Sequence, residues 1–272
     1  LFVIIYFCYV KLMKIYSDNA IEYNWFKNLN IAYDNLEYHL IKGRGKNPEI
    51  VKEVIKYDKP DIILCDEKKV YLVIEKTSTV PTGHNIGQRM ARIIRSVELD
   101  IPKIYIVPFK KRKHGKYTSI CDINGRLFEC CYKIWSIHNV PIHLLNWKCD
   151  ENGELISDGS EDKDIKKLLQ MYIKTEYKGD SKSLENEKKQ LLKNFNISTK
   201  NFTNYKSPPP SVLLLKTLKL YDDFQLSLKE KERKTFFEKE ESVIYKIKMK
   251  QGPSAKRQDP YTGTQFLYDY LY

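Results

Sequence analysis

The chain has 272 residues, 47 Lys and Arg against 35 Asp and Glu, a net charge of +12 and a sequence pI near 9.2. An excess of that size attracts a polyanion such as DNA or RNA, although the Lys, Asn, Ile and Tyr bias of an AT-rich genome produces the same balance. The six cysteines, Cys8, Cys65, Cys121, Cys130, Cys131 and Cys149, form no Cys-X-X-Cys pair and meet no His-X-X-X-His. This weighs against zinc and against a disulfide scaffold, and reads as reduced thiols of a cytoplasmic protein.

Residues 1–12 are apolar but too short to span a bilayer, with no basic leader or small-residue cleavage site. Met13-Lys14-Ile15-Tyr16 then reads as the true start, with 1–12 a spurious extension. Mixed aromatic and aliphatic spacing over 16–42 predicts a helix and a short strand, and Gly43-Arg44-Gly45-Lys46 a basic turn rather than a phosphate loop. Asn47-Pro48-Glu49 predicts a helix start, with Asn47 as N-cap and Pro48 at the first helical position, running to about Tyr57. Glu49 and Glu53 fall four apart on one face of it, either paired to Lys52 and Lys56 or supplying an additional acid to a site.

Ile62 to Cys65 and Val70 to Lys76 are β-branched runs joined by the charged turn Asp66-Glu67-Lys68-Lys69, which predicts a hairpin. Strand alternation puts Tyr71, Val73, Glu75 and Thr77 on one face and Val70, Leu72, Ile74 and Lys76 on the other. Asp61 opens the partner strand, so antiparallel pairing brings two carboxylates together, and a divalent cation is the natural neutraliser. After a loop, a helix over 85–99 sets Arg89, Arg92, Ile93, Arg95 and Ser96 against an apolar stripe of Ile86, Met90, Ile94 and Val97. The arginines suit phosphate contacts, or else make a plain exposed basic face.

Pro102 to Pro108 predicts a buried strand, and Phe109 to Tyr117 a basic loop whose Lys110, Lys111, Arg112 and Lys113 could clamp a DNA backbone. Arg126 to Ile137 predicts a helix with Leu127, Cys130, Cys131 and Ile134 on its apolar side, and Val140 to Trp147 a further strand. Residues 150–164 read as a linker or surface loop. Helices follow at 163–175 and 181–195, then the stiff break Ser207-Pro208-Pro209-Pro210 and a lysine-rich segment of helical periodicity over 211–250. Gln251 to Gly263 reads as a loop-borne motif, and the chain ends within an amphipathic helix from Thr264, as a truncated reading frame would. Of the histidines, His84 alone is placed to approach Glu75.

At Pro60-Asp61 and Glu75-Lys76-Thr77 the chain resembles the PD-(D/E)XK nuclease superfamily, with threonine where that pattern has its lysine. Thr82 to Arg92, with Gln88-Arg89, is similar to the segment that follows the catalytic strand in some restriction-enzyme-like members. The resemblance implies an α/β fold: a restriction-endonuclease-like core (13–149) of a mixed four- to five-stranded sheet flanked by helices. A mainly helical C-terminal region (150–272) with DNA contacts would follow. It further implies a type II-like endonuclease that cuts double-stranded DNA at specific sites. Asp61, Glu75 and the Lys76 backbone carbonyl would hold Mg²⁺ or Mn²⁺. Catalytic roles would fall to Asp61, Glu75, Thr77 and Gln88, with Arg89, Arg92 and the 110–113 cluster on DNA. A homodimer and a cognate methyltransferase fit such a system, and a membrane does not. A nuclease-fold DNA-binding module that has lost cleavage, argued from Thr77, and a structure-specific repair nuclease stand as alternatives.

Overall fold

The computed structural model describes residues 13–29, 31, 36–43, 46–81, 85, 89–112, 119–199, 211–216 and 241–246. Its centre is a mixed six-stranded sheet in the order β2-β1-β3-β4-β5-β8. These strands are β1 (Met13–Ser17), β2 (Leu36–Leu40), β3 (Ile62–Cys65), β4 (Val70–Lys76), β5 (Lys103–Val107) and β8 (Ile142–Asn146). β3 is antiparallel to both β1 and β4, whereas β4-β5, β5-β8 and β1-β2 are parallel. The sheet therefore exceeds the expected four to five strands, because β1 and β2 supply two strands at one edge where a single short strand was expected over 16–42.

The predicted hairpin is β3 and β4. Its turn is closed by Asp66, whose backbone N–H donates to the Lys69 carbonyl and whose carboxylate accepts from the N–H groups of Lys68 and Lys69. Pairing runs Ile62 with Ile74 to Leu64 with Leu72 and then shifts, Cys65 facing Val70. This bulge at Tyr71 corrects the expected alternation at the strand's start: Val70 joins the same apolar cluster as Val73, and Tyr71 packs on Tyr177. From Leu72 onward the period of two holds.

Helices cover both faces. On one lie α1 (Ala20–Asn28) and α5 (Lys163–Lys174), whose Trp25, Phe26, Ile165, Leu168, Leu169 and Tyr172 pack on Ile62, Leu64, Leu72, Ile74, Ile104 and Ile106. Each such fully buried aliphatic side chain contributes about 1.5–3 kcal/mol. On the other lie α2 (Glu49–Val54), α3 (Met90–Glu98) and α4 (Arg126–His138), and α6 (Ser181–Thr199) adds Leu191. The apolar packing on this second face falls into two clusters, one under α2 and one under α3 and α4. The charged groups described below lie on that face.

Local expectations needed adjustment. Asn47 does not cap α2: its side chain bonds both the N–H and the carbonyl of Lys42, and Pro48 takes the cap position of a helix that stops at Val54. The helix predicted over 85–99 is described from Met90 to Glu98. The basic run after β5 is not an open loop, since β6 (Lys110–Arg112) pairs with β7 (Ile120–Asp122). Residues 150–161 form a surface loop rather than a linker, and Gly153 (φ +77°) accepts the Arg112 N–H at 3.0 Å so closely that a Cβ would lie 2.9 Å from that nitrogen. Within the segment expected to be helical over 211–250, β9 (Ser211–Lys216) and β10 (Glu241–Lys246) pair antiparallel instead. Its intervening residues and the 251–263 motif lie outside the described residues, as does Leu1 to Leu12. Among the described residues no helix is long and apolar enough to cross a membrane.

Candidate functional site

The hairpin delivers Glu75 to the last turn of β4 on the face covered by α3, and the residue is fully buried. Asp61, just before β3, turns its carboxylate toward the same end, where Oδ2 accepts the Lys76 N–H at 2.5 Å. The register continues to Pro60 opposite Lys76, and a proline has no N–H to offer the Lys76 carbonyl. Asp61 thus answers the Lys76 amide with a carboxylate beside a proline that offers the ladder no N–H.

Three cations converge on Glu75. Arg92 Nη1 donates to Oε1, Arg89 Nε lies 3.2 Å from the same oxygen, and Lys103 Nζ is 4.0 Å from Oε2. Arg92 also reaches Asp58 through Nε at 2.5 Å. Among the described residues, Glu75 Oε2, Lys103 Nζ and Tyr105 Oη are buried without a hydrogen-bond partner, and Arg89 Nε has its ion pair with Glu75 but no hydrogen bond. They belong together, because parallel register sets Tyr105 opposite Glu75 and Lys103 opposite Val73. Buried polar atoms are almost always paired, so orphans on neighbouring residues of β4 and β5 suit a further polar group.

Burial dominates the ionisation of this set. It pushes Glu75 up to about 7, opposed first by the Lys103 ammonium and reinforced by the Asp61 charge. It raises Asp61 as well, against the lowering effect of the Lys76 N–H. It brings Lys103 down to about 8, against the raising influence of Glu75 and Asp61.

Lys76, the next residue, points to the opposite face. Its ammonium donates to Glu22 Oε2 at 2.7 Å and sits 3.9 Å from the Trp25 ring centre and 4.7 Å from that of Trp147. Glu22 is held in the first turn of α1, where the Asn19 carboxamide accepts from the Ile21 and Glu22 amides. Glu22 is also the first of the neighbouring charges that raise Asp61.

Other expected site residues fall elsewhere. Thr77 does lie at the same strand end as Glu75, but its hydroxyl is engaged with that of Thr79 at 2.6 Å. Glu49 pairs with Lys52, and Glu53 with Arg95 rather than Lys56, so α2 supplies no free acid. Arg95 binds Glu98 too. The arginines at α3 consequently do not form an exposed basic stripe: Arg89 and Arg92 turn onto Glu75 of the sheet and Arg95 onto Glu53 of the neighbouring helix α2. In the basic run, Lys110 and Arg112 are exposed, but Lys111 is buried with its ammonium on the Ser78 carbonyl at 2.5 Å, tying down the loop after β4. Lys113, Gln88 and His84 lie outside the described residues.

Sequence reasoning missed Lys103, Tyr105, Asp58 and Glu22. A readable signal existed for the first: a lysine opening Lys103-Ile104-Tyr105-Ile106-Val107 breaks an otherwise apolar buried strand.

No group of three His, Cys, Asp or Glu side chains that could hold a metal occurs among the described residues. The oxygen set on offer is smaller: Asp61, Glu75 through its unpartnered Oε2, and the Lys76 carbonyl. An all-oxygen set of one or two carboxylates suits Mg²⁺, which keeps several waters of its own. The orphaned Oε2 makes these residues a fit for such an ion. Comparison of the chain with protein-family models, curated proteins and solved structures finds no match.

Proposed function

We propose that this protein is a divalent-metal-dependent DNA endonuclease of the restriction type, built on a restriction-endonuclease-like core. The reading rests on one observation above the rest: the half-buried Asp61 and the fully buried Glu75 come from adjacent hairpin strands to one strand end, and Glu75 keeps an oxygen with no partner. Asp61, Glu75 and the Lys76 carbonyl would hold the metal. When bound, Mg²⁺ would acidify a water and offset the charge that develops on the phosphate. Arg89 and Arg92 fix the Glu75 carboxylate by its other oxygen, so that Oε2 stays turned toward the substrate. Burial under α3 excludes bulk water and strengthens each of these interactions. The exposed Lys110 and Arg112 offer phosphate contacts, which position a duplex without reading it.

One observation favours a second reading, a DNA-binding module without cleavage. Glu75 Oε1 is already answered by two guanidinium groups, so protein cations supply part of the neutralisation that a metal would give. Incubation with unmethylated phage DNA in Mg²⁺ or Mn²⁺ separates the readings. Discrete fragments support the restriction-type enzyme, and end-dependent shortening transfers the chemistry to a repair nuclease. A gel shift with intact DNA overturns cleavage and leaves the binding module.

A further inference from the structure

Thr77 leaves Glu75's strand end without the cation that the motif's third position would carry, and the neighbouring strand holds one. Lys103 is wholly buried at the start of β5, with its backbone N–H on the Pro141 carbonyl. Parallel register pairs it with Val73, two residues short of Glu75 and on the same face of the sheet. Its flexible stem carries Nζ along the strand to 4.0 Å from Glu75 Oε2. A buried ammonium retained only for packing closes onto its partner, as Lys76 does onto Glu22 at 2.7 Å. Lys103 does not: its ammonium and the facing carboxylate oxygen both stay without a hydrogen-bond partner, as does the hydroxyl of Tyr105, which the register sets opposite Glu75.

We infer that Lys103 supplies from β5 the positive charge that residue 77 lacks, as a positioning residue that offsets the repulsion between Asp61 and Glu75 and holds Glu75 Oε2 toward the reacting phosphate. This rests on the nuclease reading above. The charge has moved between strands while its place beside the acid has been kept. Arginine cannot substitute fully, because a planar fork fills the gap that a point charge leaves open.

The test is single-turnover cleavage at a series of Mg²⁺ concentrations, with thermal melting of each variant. Lys103→Met should lose about 100-fold in rate while Lys103→Arg loses less, about tenfold. Returning the lysine to β4 in the double variant Lys103→Met/Thr77→Lys should recover at least about tenfold, which a lysine kept only for packing would not allow. A folded Lys103→Met that cleaves within about threefold of wild type, or a double variant that recovers nothing, overturns the inference and leaves the nuclease reading standing. If Lys103→Met does not fold, Thr77→Lys in the wild-type background decides. Two ammonium groups crowding one carboxylate should slow cleavage about tenfold, and a gain in rate would show that the site had been lacking its lysine. A wild-type protein that cleaves nothing in Mg²⁺ or Mn²⁺ overturns both.

Discussion

Glu75 and Lys76 are consecutive, both buried and both charged, yet the two faces of β4 treat them in opposite ways. Lys76 has every need met: a carboxylate at 2.7 Å and two indole rings that favour a cation. Glu75 is crowded by three cations and still has an oxygen without a partner, beside a lysine and a tyrosine in the same condition. A closed ion pair stabilises or specifies packing, and its loss is felt in folding. An open one costs stability and is retained where a ligand completes it. On the proposed reading, the contrast gives structure to one face and chemistry to the other.

The sharpest way to break that contrast is to remove the acids. Asp61→Asn or Glu75→Gln should lower single-turnover cleavage by about 1,000-fold or more, while DNA binding measured in Ca²⁺ persists. Near wild-type cleavage by either variant would mean that the site is misplaced.

Lys76→Met probes the other face and should do the reverse. Leaving Glu22 without its cation should destabilise the fold by roughly 2–4 kcal/mol in denaturant titrations. Adding Glu22→Gln should restore much of that loss. A loss of cleavage with stability intact would instead move Lys76 into the site.

Thr77→Ala should slow cleavage by about ten- to a hundredfold, because its hydroxyl carries no charge and is shared with Thr79. Loss equal to that of Glu75→Gln would give Thr77 a larger part than its geometry supports.

The open face should also leave a mark on stability without metal. Glu75 is raised to about 7, so the stability linked to its protonated form is complete below its ordinary value and is lost as pH rises through about 7. Lys103 is lowered to about 8, so the stability linked to its neutral form is present at high pH and lost as pH falls through about 8. Melting temperature in metal-free buffer should pass through a shallow minimum between those values, and Glu75→Gln should flatten its acid side. A profile with no minimum would show the pair to be closed in solution.

The smallest effect is expected at β6. Lys110→Ala and Arg112→Ala should each reduce the slope of log binding against log salt by about one unit, whereas the buried Lys111 should leave the slope alone and loosen the loop at Ser78.

Alternating β-branched residues and a turn closed by Asp66 made the hairpin readable, since both signals are local: strand period and turn hydrogen bonding act within a few residues. The same locality made the faces of Glu75, Lys76 and Thr77 legible, and α4 with its buried Leu127, Cys130, Cys131 and Ile134. The bulge at Tyr71 was not, because it depends on how Cys65 meets its partner strand. Asp61 and Glu75 could be paired from the sequence because one short turn joins their strands. Lys103 could not be brought to them, for a parallel neighbour is reached only through a crossover helix, and no spacing along the chain encodes its register. The arginines at α3 had the right helical spacing for an exposed stripe, and only the acids packed against them, Glu75 on the sheet and Glu53 on α2, turned them inward. Charge pattern fixes which residues share a helix face, but the burial of that face, and so whether its charges meet water or carboxylates, is decided by what packs beneath it.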